Sequence, residues 1–266
     1  VASSRGLGDV YKRQDNIWEE HLEIVNRNIK SGQTSCYIFE VGNVFYKSSE
    51  FIQEEILNGA IFGNKKFGAW ANSGKDNDLN YYEARGKLKE ALSSLNIKVD
   101  DKPTNSIDFL HPGRTAKLFI EGKDAGYFGE IHPKLILDKT ALKKVYLFSI
   151  NVANLLGAST RKNKWIPIYK QYPIVPKMER DINFIFSKEH LISEITSEIR
   201  KTGKNLLEDV NLIDVFKDIN FGEDFISYTF RLSYRDKDKT LLDSDISSIH
   251  SNIVSKVEKR FNTKLR

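Results

Sequence analysis

In the last 95 residues of the chain, 172–266, apolar and polar residues alternate strictly within the predicted strands. The strand predicted at 180–186 has apolar side chains at 182, 184 and 186 on one face, with Asn183 on the other. The strand predicted at 225–235 places five apolar or aromatic residues on one face, with Ser227 and Arg231 on the other. Because a strand with one apolar face must bury that face, this part of the chain predicts a sheet with one covered side.

Two segments with helical spacing complete this module. Apolar residues at 191, 192, 195 and 199 predict a helix that is capped by Ser187 and closed by Gly203 in the left-handed conformation. A second helix, capped by Asp243 or Ser244, has an apolar stripe from 246 to 261. A further strand is predicted at 207–216, and the 263–266 tail offers a fourth. The order βαββαβ predicts a ferredoxin-like sandwich whose polar sheet face stays open.

An open polar sheet face is a common RNA-binding surface, although the same sandwich also serves purely structural roles. On the strand at 207–216, residues 213 and 215 suit the core, which turns Asp214 and Phe216 outward. An outward ring beside an acceptor and the hydroxyl of Ser227 predicts a clamp for an unpaired base, with stacking of about 1 to 3 kcal/mol. Asn183 and Arg231 join this candidate RNA-binding set from the same face. Packing of Phe216 on the 220–224 loop is the alternative.

Residues 15–160 predict a separate α+β domain with an antiparallel sheet. Helices are predicted at 18–29, 81–95 and 152–156, and strands at 35–41, 43–46, 60–62, 108–110, 115–120, 126–129 and 144–150. The two strands at 35–46 predict a hairpin about Gly42, and residues 111–114 predict a turn. Residues 1–14 show no apolar period and are interpreted as a foreign or mis-joined segment. Residues 161–171 are interpreted as a basic linker that contains Arg161, Lys162, Lys164 and Lys170.

Composition narrows the class of protein. The net charge is +5, yet residues 172–266 contain 16 Lys and Arg against 16 Asp and Glu, so the predicted RNA module is neutral and needs local contacts. The single cysteine, Cys36, excludes an intramolecular disulfide and fits a cytoplasmic location, and no apolar run approaches a membrane span. Met178 is the only methionine, so we expect the chain to be a fragment of a longer protein.

No catalytic or metal site is predicted from the residues. The five histidines lack metal-ligand spacing, and His111 and His132 each precede a proline, where a loop-fixing hydrogen bond is the expected role. Arg114 suits a partner's carboxylate better than a phosphate, and Glu40 and Glu130 are expected to form salt bridges. We find no serine elbow, phosphate-cradling glycine loop or cysteine–histidine arrangement.

Several separated motifs resemble one family. PKMERDI (176–182), LIDVF (212–216), the 225–231 strand and TLLD (240–243) are similar to the C-terminal anticodon-binding domain of bacterial-type phenylalanyl-tRNA synthetase beta subunits. FEVGNVF (39–45), FLHPGRTA (109–116) and GYFGEIHP (126–133) resemble the catalytic-like domain of the same subunits, an inactive copy of the class II synthetase sheet. The resemblance covers residues 15–160 and 172–266, and it implies a C-terminal fragment of such a subunit.

The resemblance implies a role in attaching phenylalanine to its tRNA. Asp214, Phe216 and Ser227 fall on positions similar to the family's anticodon-contacting set, where tyrosine is more usual at position 216. The implied partners are tRNA(Phe) and the catalytic alpha subunit, in an α2β2 heterotetramer. ATP and Mg²⁺ would bind in the alpha subunit, so no cofactor is expected in this chain. The alternative is a non-enzymatic RNA-binding or scaffold protein that reuses both domains.

Overall fold

A computed structural model describes residues 17–47, 51–63, 78–135, 144–161, 165–166, 169, 171–218 and 221–266. The chain divides into two units, 1–167 and 168–266, which are described separately. The segment predicted as foreign, 1–14, lies outside the described residues, as do Lys162, Lys164 and Lys170 of the predicted linker.

The first unit contains three helices and six strands in the part of the chain that the structure describes. In chain order they are α1 (Trp18–Lys30), β1 (Ser35–Lys47), β2 (Phe51–Gly63), α2 (Tyr81–Ser93), β3 (Val99–Pro103), β4 (Leu110–Ile120), β5 (Lys123–Ile131), β6 (Val145–Asn151) and α3 (Val152–Ser159). The strands form one antiparallel sheet in the order β1-β2-β6-β5-β4-β3. The predicted α+β class with an antiparallel sheet is confirmed, whereas β3 was not predicted from the sequence and β2 was predicted only at 60–62.

Both faces of this sheet are packed, and β6 shows why. Val145 and Leu147 lie in the cluster formed with α1. Tyr146, Phe148 and Ile150, which point to the opposite face, lie in the cluster formed with α2 and α3. Complete burial of one such side chain contributes about 1.5 to 3 kcal/mol, so the two clusters hold the helices against the sheet from both sides.

Two turns predicted in this unit are wrong. Gly42 does not turn the chain, because β1 runs through it and pairs it with Ile56 of β2. A Cβ at Gly42 would lie 2.8 Å from Cδ1 of Ile17, so the glycine allows a close approach instead. Residues 111–114 lie inside β4, where the pairing with β5 shifts register between Leu110 and Thr115. A proline and a glycine within a strand mark a bulge of this kind.

The second unit contains three strands and two helices among its described residues. They are β7 (Met178–Ser187), α4 (Ile192–Gly203), β8 (Leu207–Phe216), β9 (Phe225–Tyr234) and α5 (Asp243–Phe261). The sheet order is β7-β9-β8, with both pairings antiparallel. Apolar residues of α4 and α5 share one buried cluster with one face of the sheet. The ferredoxin-like order is as predicted for the first five elements, βαββα.

The 263–266 tail does not form a fourth strand. It makes one isolated bridge, between Leu265 and Phe184 of β7. The Arg266 amide donates to the Asn183 carbonyl at 2.9 Å, and the Thr263 hydroxyl donates to the Ile185 carbonyl at 2.5 Å. The tail therefore lies along the free edge of β7 without forming a strand there.

The ends of α4 differ from the prediction for a steric reason. The helix begins at Ile192 after Leu191, so Ser187 does not cap it. Gly203 has a right-handed φ of −70°, and Lys204 takes the positive φ of 51°. A Cβ at Gly203 would lie 2.4 Å from Cδ2 of Leu207, so this glycine makes room for the first residue of β8. α5 also begins differently, after Leu242, whose amide donates to the Asp245 carboxylate at 3.0 Å.

We expect Gly126→Ala to destabilise the first unit by about 2 to 5 kcal/mol. Gly126 has a φ of 140°, and an added Cβ would lie 1.9 Å from the carbonyl oxygen of Ser149 on the neighbouring strand. Gly86→Ala is the matched control, because no atom lies within 4 Å of its added Cβ and it stands in a helix, where alanine gains about 0.5 to 1 kcal/mol.

Tryptophan fluorescence during urea unfolding measures this effect, because all three tryptophans of the sequence fall within residues 1–167. Equal urea midpoints for Gly126→Ala and Gly86→Ala would show that the backbone at Gly126 does not approach Ser149 this closely in solution.

Candidate nucleic-acid interface

The sheet of the second unit has one face free of helices among the described residues. Along β9, residues 226, 228, 230, 232 and 234 are buried in the cluster shared with α4 and α5. The alternate residues point to the opposite face, called here the open face. Pairing across the three strands forms rows on this face: Ile185, Ser227 and Phe216; Asn183, Thr229 and Asp214; Asp181, Arg231 and Asn211; Glu179, Ser233 and Asp209.

The register of β8 corrects one detail of the prediction and confirms another. A bulge between Leu212 and Asp214 breaks the alternation, so Leu212 pairs with Phe230 and packs against the core. Ile213 and Val215, which were both predicted to be in the core, are 44% and 48% exposed. After the bulge, Asp214 pairs with Thr229 and Phe216 with Ser227, which places both side chains on the open face as predicted.

Asn183 joins the two central hydroxyl groups of the open face. Its Nδ2 donates to Oγ1 of Thr229 at 2.6 Å, and its Oδ1 accepts from the Ser227 hydroxyl at 2.9 Å. Ser227 is only 1% exposed, because larger neighbours surround its small side chain. The amide and both hydroxyl groups therefore form one fixed polar network at the centre of the face.

Phe216 lies at the edge of this network and is 43% exposed. Its ring centroid is 6.2 Å from that of Phe221, in an edge-on arrangement. The guanidinium carbon of Arg266 lies 5.7 Å from the Phe216 centroid and 5.0 Å from the Phe221 centroid. Phe225, 44% exposed, follows on the same face of β9. We call Phe216, Phe221, Phe225 and Arg266 the aromatic end of the open face.

Arg231 is held by a carboxylate. Its Nε and Nη2 each donate to Asp181 at 2.8 Å, and Glu179 lies 3.9 Å from Nε. The hydrogen bond and charge of Arg231 lower the pKa of Asp181, while the same contacts raise the pKa of Arg231. Nη1 of Arg231 has no hydrogen bond in the part of the chain that the structure describes.

Charge is unevenly distributed over the open face. Glu179, Asp181 and Asp209 occupy the two rows farthest from Phe216, and we call them the acidic end. The Lys177 side chain lowers the pKa of Glu179, and Arg200 lowers that of Asp209, so both carboxyl groups are held in the charged form. Each of these carboxylates pairs with a cation, Glu179 with Lys177, Asp181 with Arg231 and Asp209 with Arg200, so their charges are largely balanced.

The structure brings the five predicted residues together on adjoining rows. Asp214 and Phe216 are exposed, Asn183 and Arg231 are half-buried, and Ser227 is buried. Their RNA contacts stay predictions. Phe221 and Arg266 were missed, because strand alternation carries no information on a loop ring or on a long side chain that reaches over the sheet.

Four of the polar residues singled out in the first unit have partners within the chain, whereas Glu40 makes no salt bridge with another described residue. Nη1 of Arg114 donates to both carboxylate oxygens of Glu130, at 2.9 and 3.0 Å, so the salt bridge expected of Glu130 is present, and Arg114 is held within the chain and not by a partner's carboxylate. Nδ1 of His111 accepts from the Gly113 amide at 3.1 Å, and Nδ1 of His132 accepts from the Lys134 amide at 3.2 Å. These are the loop-fixing bonds predicted for the two histidines.

Strand β1 presents an exposed apolar stripe at one end of the six-stranded sheet. Tyr37, Phe39 and Val41 alternate on one face and are 54%, 74% and 50% exposed. Three large adjacent apolar side chains in solvent are typical of a surface that contacts another molecule.

Within the described ranges, no group of three or more His, Cys, Asp or Glu residues converges in the manner of a metal site. No helix in these ranges is long and apolar enough to cross a membrane.

Two family models match the chain. The phenylalanyl tRNA synthetase beta chain CLM domain matches residues 13–152, and the ferredoxin-fold anticodon binding domain matches residues 173–266. The first match covers the unit with the six-stranded sheet, and the second covers the unit with the open face.

Curated relatives agree with these models. A phenylalanine–tRNA ligase beta subunit of Prochlorococcus marinus strain MIT 9312 is 81% identical over 95% of this chain and 31% of its own length. The beta subunits of P. marinus subsp. pastoris and of strain NATL2A are 66% and 43% identical, over 95% and 98% of this chain and 31% and 32% of their own lengths. This chain thus spans about a third of the length of these relatives.

Among solved structures, a pyrrolysyl-tRNA synthetase of Desulfitobacterium hafniense has a TM-score of 0.38 and 12% identity, over 54% of this chain and 48% of that one, which is too low to support a conclusion. The domain models and the relatives agree with each other: the chain belongs to the family of phenylalanyl-tRNA synthetase beta chains.

Proposed function

We propose that this chain is the part of a phenylalanine–tRNA ligase beta subunit that holds the anticodon stem-loop of tRNA(Phe) and assembles with the catalytic alpha subunit. One observation carries the RNA-binding half of the proposal: the open face presents an exposed ring, Phe216, beside the unpaired carboxylate of Asp214, in a domain that matches an anticodon-binding fold. Among the described residues, no hydrogen bond or ion pair engages Asp214, so its oxygens remain free for an external donor.

In this proposal an unpaired anticodon base stacks on Phe216, while Asp214 accepts hydrogen bonds from the base edge. Ser227 and Asn183 are hydrogen-bonded to each other. Their role is to fix the side chains beneath the base, and each can replace this hydrogen bond by one to RNA where the base reaches it. Asp181 orients Arg231 so that its Nη1 remains available for a phosphate or a base edge.

The first unit has the assembly role. We propose that its sheet is a class II synthetase-like domain without chemistry of its own, and that the β1 stripe contacts the alpha subunit in an α2β2 heterotetramer. ATP, Mg²⁺ and phenylalanine then belong to the alpha subunit, and the complex works in the cytoplasm. Support comes from the packing of both sheet faces by helices, while the stripe on β1 stays exposed as an apolar surface that a partner could cover.

The first test replaces the stacking ring. Phe216→Ala should weaken binding of the tRNA(Phe) anticodon stem-loop by about 1 to 3 kcal/mol, because the base loses its platform. Phe216→Tyr keeps the ring and should change binding little. Fluorescence anisotropy in the reconstituted alpha–beta complex measures the affinity, with circular dichroism as the control for folding. Undiminished binding by folded Phe216→Ala would mean that the ring only packs against its loop.

The second test follows the titration of Asp181. Because its folded pKa is lowered, the stability contributed by its ion pair is present above the ordinary aspartate pKa and is lost as the pH falls through the lowered value. Arg231→Gln should return the pKa of Asp181 toward the ordinary value, as followed by carbon NMR of the carboxyl group. Arg200→Gln is the matched control, which should raise the pKa of Asp209 and leave Asp181 unchanged. If Asp181 titrates identically in Arg231→Gln, Arg231 is not held by this carboxylate in solution.

The third test concerns the alpha subunit. Phe39→Ser should reduce recovery of the alpha subunit with this chain at least tenfold, because a central apolar anchor is typically worth 2 kcal/mol or more. Tyr82→Ser, at an aromatic side chain on α2 that is 82% exposed, is the matched control and should leave recovery unchanged. Co-purification of tagged chain with untagged alpha subunit gives the measurement. A chain that never retains the alpha subunit favours the scaffold alternative.

A further inference from the structure

We infer that Arg266 is an additional RNA-contacting residue, whose guanidinium closes over the base that stacks on Phe216. The inference rests on the proposed function and deepens it, since it assigns a second surface to the same base. Arg266 has three relevant features: two ring contacts, an anchored main chain and, among the described residues, no carboxylate partner.

The guanidinium group of Arg266 stands over two rings at once. Its carbon atom is 5.0 Å from the Phe221 centroid and 5.7 Å from the Phe216 centroid. Both separations fall within the range in which a cation is attracted to the face of an aromatic ring. The contacts place a planar cation beside the exposed ring proposed as the stacking platform.

The main chain that carries Arg266 is fixed, whereas its side chain is exposed. The Arg266 amide donates to the Asn183 carbonyl at 2.9 Å, and the preceding amide, of Leu265, donates to the Glu258 carboxylate at 3.0 Å. Residue 266 is exposed as a whole. Because the main chain is already fixed, only the side chain has to be ordered when it closes on a ligand, which limits the entropic cost.

No ion pair engages Arg266 within the described part of the chain, unlike Arg231 with Asp181 or Arg200 with Asp209. The rings that hold it do not neutralise its charge. Arg266 is therefore a cation of the aromatic end that remains available to an anion, at the opposite end of the face from the acidic end.

The spacing suits a base. Two successive stacking contacts of about 3.5 Å require roughly 7 Å between guanidinium and ring, so the side chain would retreat from Phe216 by only about 1 to 2 Å. A guanidinium stacks on a base as readily as on an aromatic ring and is weakly hydrated, which lysine is not. The arrangement therefore predicts a sandwich of ring, base and guanidinium.

The experiment uses the tRNA(Phe) anticodon stem-loop with 2-aminopurine in place of one loop base at a time, bound to the reconstituted alpha–beta complex. Arg266→Ala should weaken binding roughly fivefold to 100-fold, the range expected for loss of one stacking contact. The loss should persist at high salt, and the quenching of one 2-aminopurine should decrease. Arg266→Lys should restore the salt dependence of binding but not the quenching of 2-aminopurine fluorescence. Lys264→Ala, an exposed cation two residues earlier, is the matched control and should show neither effect.

The outcomes separate the inference from the proposed function. If Phe216→Ala weakens binding and Arg266→Ala does not, the function stands and the inference fails. A loss in Arg266→Ala that disappears at high salt assigns the side chain to a phosphate, which also overturns the clamp. If the affinity of Arg266→Ala falls only in proportion to a lower thermal stability, Arg266 merely fixes the tail, and the inference fails. If Arg266→Lys retains the full quenching of 2-aminopurine, a planar group is not needed, which also contradicts the inference. If the parent complex does not bind the stem-loop at all, the proposed function itself fails.

Discussion

The burial of one face of β9 is the constraint on which the arrangement of the second unit depends. Tyr228, Phe230 and Tyr234 are the largest of the β9 side chains that pack against α4 and α5. A slip of one residue would move the whole apolar set into solvent and bury Arg231 without its partner, at a cost of many kcal/mol. Since β9 lies between β7 and β8, its register also sets which side chains of both neighbours share a row. The positions of Phe216 and Asp214 relative to Asn183 follow from core packing on the other side of the sheet.

The same constraint explains how much of this fold is readable from the sequence. Strands and helices that bury one face leave a period of two or about four, and most of these elements were predicted in nearly the right places, with β1 divided into a hairpin and β2 largely missed. Positions governed by a close approach were not. Gly42 and Gly203 look like turn residues in a sequence, yet each is needed because another side chain comes too near. The short polar strand β3 has no period to detect.

The candidate site likewise contains some features that the sequence predicted and others that it did not. The outward direction of Asp214 and Phe216 was predictable, because the alternation resumes after the bulge at residue 213. The pairing of Arg231 with Asp181 was not, because it joins residues 50 positions apart through strand register. Arg266 was missed for a related reason: a tail read as a possible strand says nothing about where a long side chain reaches across the sheet.

The exposed stripe on β1 has a consequence for how such a protein is made. β1 runs for 13 residues at one end of the described sheet, and a long apolar strand in that position can pair with a second copy of itself. Newly synthesised chains would then either aggregate or bind a partner. The outcome would depend on concentration and not on the stability of the final fold. In the assembly proposed above, a cell that makes this chain in excess of the alpha subunit would lose part of it to insoluble material, so balanced synthesis of the two subunits would become part of the folding problem.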